Sequence, residues 1–198
     1  MVDLTYERAL MCVVLGLVVG VAAIGVIKLV HLAEHASELA SVWVRAVVAG
    51  GALAGIYAIG RGLTGEPLAL TSGNHVIDWA IEPDHAIGLL LAVFVLRAVG
   101  PAISIAGGGV GGLCIPLMAA GAVIGRLFAD ALRADDLTLY VTVGAAAMLG
   151  AGYAVPLTAV VFVAEYTGQA TIIGPSLLAV ATTRLVVGSR SDSPAQRP

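Results

Sequence analysis

Ala9–Ile27 reads ALMCVVLGLVVGVAAIGVI, 19 consecutive residues without a charged side chain. At 1.5 Å per residue, about 20 apolar residues of helix cross the ~30 Å hydrocarbon core of a bilayer. The residues before it, Met1–Arg8, place Asp3 and Glu7 beside Arg8. The basic n-region of a secretory signal is therefore missing, and the run reads as a mature transmembrane helix.

The composition extends that reading to the whole chain. Of 198 residues, 59% are hydrophobic, only 12% are charged, and 25 are glycine. Soluble domains are about 45–50% apolar and about 25% charged. Ten basic and 13 acidic side chains cannot clothe a soluble protein of this size. The net charge of −3, with no basic run and few aromatics, excludes nucleic acid as the expected partner. Cys12 and Cys114 both sit in apolar segments and fit neither a disulfide framework nor a zinc-finger spacing.

Outward from the first span, the pattern predicts roughly eight helical segments of uneven length. A polar stretch from His31 to Glu38 closes the first at about Leu32, and the second runs from about Val42 to Ile59. A short element covers Asn74–Ile81, and the next runs from about Ala86 to Val99 and ends at Gly100-Pro101. After the glycine-rich centre come Leu113–Ala129, Leu137–Leu149 with a break at Gly150-Ala151-Gly152, Pro156–Tyr166, and Ile172–Val187. Residues 1–187 thus form one transmembrane domain, and 188–198 form a polar tail. Several segments are too short to span, or are interrupted by glycine or proline. Such broken helices surround the substrate sites of transporters. The spaced pairs Gly16/Gly20, Gly51/Gly55 and Gly121/Gly125 would let helices approach closely.

The centre reads AGGGVGG over Ala106–Gly112, five glycines in seven residues. In a bilayer such backbone must be buried in protein or line a polar cavity. The helix that follows has Pro116 in its first turn, where proline is tolerated. A glycine-rich turn leading into a helix N-terminus presents amide N–H groups and roughly half a positive charge, a setting for a small inorganic anion. The candidate anion site is Gly111, Gly112, Leu113, Cys114, Ile115 and Pro116, with the amides of Leu113 and Cys114 as the donors. The bland alternative is a hinge between two helices.

These residues carry a resemblance. Gly112-Leu113-Cys114-Ile115-Pro116 resembles the G-x-F-x-P signature of the CLC family of chloride channels and proton/chloride exchangers. The glycine-rich lead-in and the following PLMAAGAVIGRLF agree with it. Gly144–Gly168, GAAAMLGAGYAVPLTAVVFVAEYTG, is similar to a second block of that family. The resemblance implies an all-α polytopic integral membrane protein with broken and short helices, like the C-terminal half of the CLC fold. It further implies transport of a small anion, chloride being the expected ion, by channel or antiporter, with no cofactor. The implied partners are the lipid bilayer, a second copy in a homodimer, and a missing N-terminal half. That half would carry the serine motif G-S-G-I-P and the glutamate motif G-[KR]-E-G-P, neither of which occurs here. Cys114 stands where the family has phenylalanine, and Ser193 falls nearest to its pore tyrosine. The expected location is a bacterial plasma membrane. Arg184, Arg190 and Arg197 put the tail in the cytoplasm by the positive-inside rule.

Other polar residues invite competing readings. Glu165 invites a proton-relay role, although its place beside Thr167 and Gly168 favours structural hydrogen bonding. Arg97 and Arg126 are expected to snorkel or to pair internally. His31-Leu32-Ala33-Glu34-His35 matches H-x-x-E-H, in which two histidines on one helix face hold zinc and Glu34 acts as base. A membrane zinc peptidase at His31, Glu34 and His35 would need a third ligand such as Asp78 or Glu82. His75, Asp78 and His85 read most simply as polar residues of an interfacial loop. A non-conducting membrane scaffold is the remaining alternative.

Overall fold

Every residue from Leu139 to Gly152 is buried in the helix α6 (Leu137–Tyr153). The computed structural model describes residues 5–36, 41–70 and 73–188. Among these the regular secondary structure is all helical, with no strand. In order, the remaining helices are α1 (Tyr6–Ala36), α2 (Val42–Thr64), α3 (Gly73–Ile81), α4 (Ile87–Ala106), α5 (Cys114–Leu132), α7 (Pro156–Thr167) and α8 (Ile173–Val187). A 3₁₀ turn, Ala170–Ile172, leads into α8. Five stretches are long and apolar enough to cross a membrane: α1, α2, α4, α5, and the 3₁₀ turn with α8. The helices α6 and α7 are shorter and apolar.

The core forms where small residues let backbones meet. The helices α5 and α6 make the most extensive contact in the molecule. A Cβ added at Gly121 would collide with Gly144 O, and one at Gly125 with Tyr140 O. The helices α1 and α8 meet in the same way, with Gly16 against Ala179 and Thr182. Thr183 Oγ1 lies 2.8 Å from both Gly16 O and Ala179 O, so one hydroxyl ties the first helix to the last. Two of the three spaced glycine pairs are therefore contact sites. Gly51 and Gly55, on α2, have nothing within 4 Å among the described residues.

Several expected boundaries are corrected. The helix α1 continues through the polar stretch to Ala36, with His31 Nδ1 and Glu34 Oε2 3.2 Å apart one turn on. The helix α4 does not stop at Gly100-Pro101 but carries Pro101 inside it as far as Ala106. Proline removes one backbone bond, and inside a membrane protein neighbouring helices re-supply the lost partners. The helix α6 is likewise unbroken at Gly150-Ala151-Gly152. An added Cβ would meet Val180 at Gly150 and Leu117 at Gly152, so these glycines make room for neighbours rather than end the helix. It ends one residue past Gly152, where Ala154 takes φ 58°. Residues 189–198, including Ser193 and the arginines of the tail, lie outside the described residues.

Candidate functional site

The first turn of α5 is Cys114-Ile115-Pro116, with Leu113 at the N-cap and no acidic side chain. A helix leaves its first amides without intrahelical partners. Pro116 has no N–H, so the donors at this end are the amides of Leu113, Cys114 and Ile115. The helical ladder begins with Leu117 N–H donating to Leu113 O at 3.0 Å.

The glycines before it close α4 and reverse the chain. The amides of Gly107, Gly108 and Gly109 donate back to Ile103, Ile105 and Ser104 carbonyls at 2.8–2.9 Å. Gly108 adopts φ 88°, and Arg45 Nη2 stands 2.7 Å from where its Cβ would be. The left-handed backbone favours glycine there, whereas the end of the Arg45 side chain could move aside for a larger residue. Gly108–Gly112 are exposed rather than buried. Gly109, Gly111 and Gly112 line a cavity of about 380 Å³, mainly apolar, with Arg97 and Ser104 as its polar side chains.

Leu113, Ile115 and Pro116 border the same cavity, so five of the six candidate residues are gathered on it. Cys114 is the exception, since it packs against the hydrophobic core. From α4 the lining includes Arg97, Pro101 and Ser104, and no carboxylate of the described residues lines the space. Arg97 is only 3% exposed. It therefore neither snorkels to the headgroups nor sits apart from the candidate site. It is engaged within the subunit and lines the same cavity as the helix start. Sequence reasoning missed this role, although one signal was available. Arg97 is the only charged residue in the apolar run of α4, and an ionisable residue at membrane depth is functional by default.

A second omission is Tyr153, the last residue of α6. The Leu113 N–H donates to Tyr153 Oη at 3.0 Å, across 40 residues of sequence. One of the two amides read as anion donors is therefore engaged by a side-chain oxygen.

The family description "Voltage gated chloride channel" matches residues 1–188. The chain belongs to this CLC family. Among curated CLC proteins it is 31% identical over 138 residues to the H(+)/Cl(-) exchange transporter ClcA of Citrobacter koseri. It is 31% identical over 140 residues to the same transporter of Klebsiella pneumoniae, and 30% over 138 residues to that of Salmonella typhi. Each match covers 67% of this chain but 29% of the relative, so the chain spans well under half the length of the CLC proteins it resembles. Membership in a family of channels and transporters, with five spanning stretches, makes it an integral membrane protein.

The other polar candidates are placed elsewhere. Arg126 is 3% exposed and pairs internally: Nε donates to Asp130 Oδ1 at 2.8 Å, and Nη1 donates to Ala80 O at 2.8 Å and to Glu82 O. It ties the end of α3 to α5. His31 faces Glu34, and His35 Nδ1 lies 2.9 Å from His31 O. Among the described residues no three His, Cys, Asp or Glu side chains come together as a metal site, so neither Asp78 nor Glu82 completes the H-x-x-E-H pair. His75 and Asp78 are exposed on α3, and His85 stacks on Trp79 at 3.9 Å. The Glu165 side chain is exposed on the outer face of α7 beside Leu157, Val161 and Phe162. Its carboxylate makes no hydrogen bond among the described residues, so the structural hydrogen-bonding role is not seen.

Proposed function

We propose that this chain forms the C-terminal half of a CLC anion pathway, in which the start of α5 coordinates a small anion, chloride. The amides of Leu113 and Cys114 are the donors, and Gly111, Gly112, Ile115 and Pro116 shape the turn that presents them. One observation carries this reading: a helix N-terminus without carboxylates and the buried Arg97 meet at a single cavity. An ion leaving water loses hydration worth several kcal/mol even after relaxation, and fixed amide dipoles and a guanidinium replace part of it.

Proton/chloride exchange or channel conduction would be the activity of the completed protein. The curated relatives are named as exchangers, and the motifs that distinguish the two modes lie in the half not represented here. Coordination is then completed by a second segment carrying the serine and glutamate motifs. The helix α2 supports this, since only Ala49, Ile56 and Gly60 of its 23 residues are buried. The protein works as a homodimer in a bacterial plasma membrane, each subunit holding its own pathway, with the tail in the cytoplasm.

The test is chloride efflux from liposomes containing this chain alone, and then this chain co-expressed with an N-terminal CLC half. Flux is expected only in the second case. Robust selective flux from the chain alone would overturn the requirement for a second segment, and no flux in either would overturn the transport reading.

A further inference from the structure

The Leu113 N–H points at an oxygen that the protein itself provides. Tyr153 Oη accepts it at 3.0 Å, and the ring is held there by the end of α6. Its neighbours fix that position. Gly152 lies against Leu117 of α5, and Ala154 takes φ 58°, which turns the chain sharply towards Pro156 and α7. The hydroxyl is thus built into the corner that joins the end of α6 to the start of α5.

An amide carries one proton. It cannot make a full hydrogen bond to the tyrosine oxygen and to an anion at once. From this geometry we infer that Tyr153 is a tethered competitor at the anion site: its hydroxyl occupies the Leu113 amide when the site is empty, and an anion must displace it. The inference rests on the reading of the α5 start as an anion site. Tyr153 is then an affinity-setting residue. It satisfies a helix-end donor that has no intrahelical partner, and it holds the empty site in shape. It also weakens anion binding by the worth of the bond that is broken, which favours release over tight capture.

The experiment uses the chain co-expressed and purified with an N-terminal CLC half, in detergent, titrated with chloride by calorimetry in gluconate buffer. The parent is compared with Tyr153→Phe, which keeps the ring and removes only the competing oxygen. Tyr153→Phe is expected to bind chloride roughly two- to tenfold more tightly, the range set by one net hydrogen bond. In chloride-free buffer the Leu113 amide should resist hydrogen exchange in the parent and exchange faster in the variant. Chloride should restore its protection. Equal binding by the two proteins overturns the inference, and so does weaker binding by the variant, which would make the hydroxyl a ligand instead. If the variant does not fold, fluorotyrosine at position 153 of the parent decides. Its fluorine resonance should shift with the chloride titration, and a fixed resonance during saturable binding overturns the competitor. No saturable chloride binding by the folded parent removes the anion-site reading itself, and the inference with it.

Discussion

Gly144→Ala is the sharpest test of how α5 is held. A Cβ at Gly144 would collide with Gly121 O and stand 3.0 Å from Gly125 N and Cα. All of these are backbone atoms, so no side chain can rotate away and the two helices must separate. Overpacking of this kind costs about 1–3 kcal/mol, and a rigid backbone neighbour puts the value at the upper end. The intrinsic helix preference of alanine over glycine returns about 1 kcal/mol, leaving a net loss of about 2 kcal/mol. Gly51→Ala is the matched control. It makes the same chemical change in the middle of α2, where nothing lies within 4 Å, and it should be neutral or stabilising by up to ~1 kcal/mol. The two variants should therefore differ by about 2–3 kcal/mol, with Gly144→Ala the less stable. Denaturant titration of the purified protein in mixed micelles, followed by circular dichroism, measures the difference. Equal stability of the two variants, or a more stable Gly144→Ala, would refute backbone contact between α5 and α6.

Further outcomes follow from the same geometry. In complex with an N-terminal CLC half, Cys114→Ala should bind chloride like the parent in calorimetry, whereas Cys114→Pro should lose binding, because proline removes an N–H that faces the ion in the proposed site. Arg126→Met leaves Asp130 and the Ala80 and Glu82 carbonyls without their donor. With Asp130 partly solvated, the loss should be about 2–3 kcal/mol, below the value for a fully buried pair, and it is read by the same micelle titration. Leu178→Trp alters a side chain 37% exposed on α8 and should dissociate a homodimer through that face, as read by light scattering in detergent. Ile172 is only 1% exposed inside the subunit, so Ile172→Trp should instead destabilise the monomer fold.

The spans were legible in the sequence because lipid imposes a simple demand: about 20 predominantly apolar residues. Ala9–Ile27 meets it without any charge, and α2, α4 and α5 meet it around one or two charged residues each. The errors came from applying rules that hold in water. Pro101 and Gly150–Gly152 read as terminators, yet a helix enclosed by other helices tolerates both, and there glycine serves to let neighbours in. The start of α5 was legible because glycine, proline and helix polarity are local properties. Its surroundings were not, because Arg97 and Tyr153 reach it from α4 and α6, and only the packing of those helices sets them beside Leu113. The burial of Ile172 was not legible for the same reason, since apolar character alone does not say which side of a helix meets lipid.

The tie from Thr183 to Gly16 spans 167 residues, which has a consequence for biogenesis. A ribosome adding about 5–20 residues per second needs roughly ten to thirty seconds to make that stretch. During this interval α1 is already in the bilayer with the notch at Gly16 unfilled, and α6, which is shielded on every side in the finished subunit, lacks its last neighbour. Either lipid or the insertion machinery must hold these surfaces until α8 emerges. A ribosome stalled before residue 173 should therefore leave a chain that is inserted but still open to quality-control proteases, and release of α8 should mark the moment of protection.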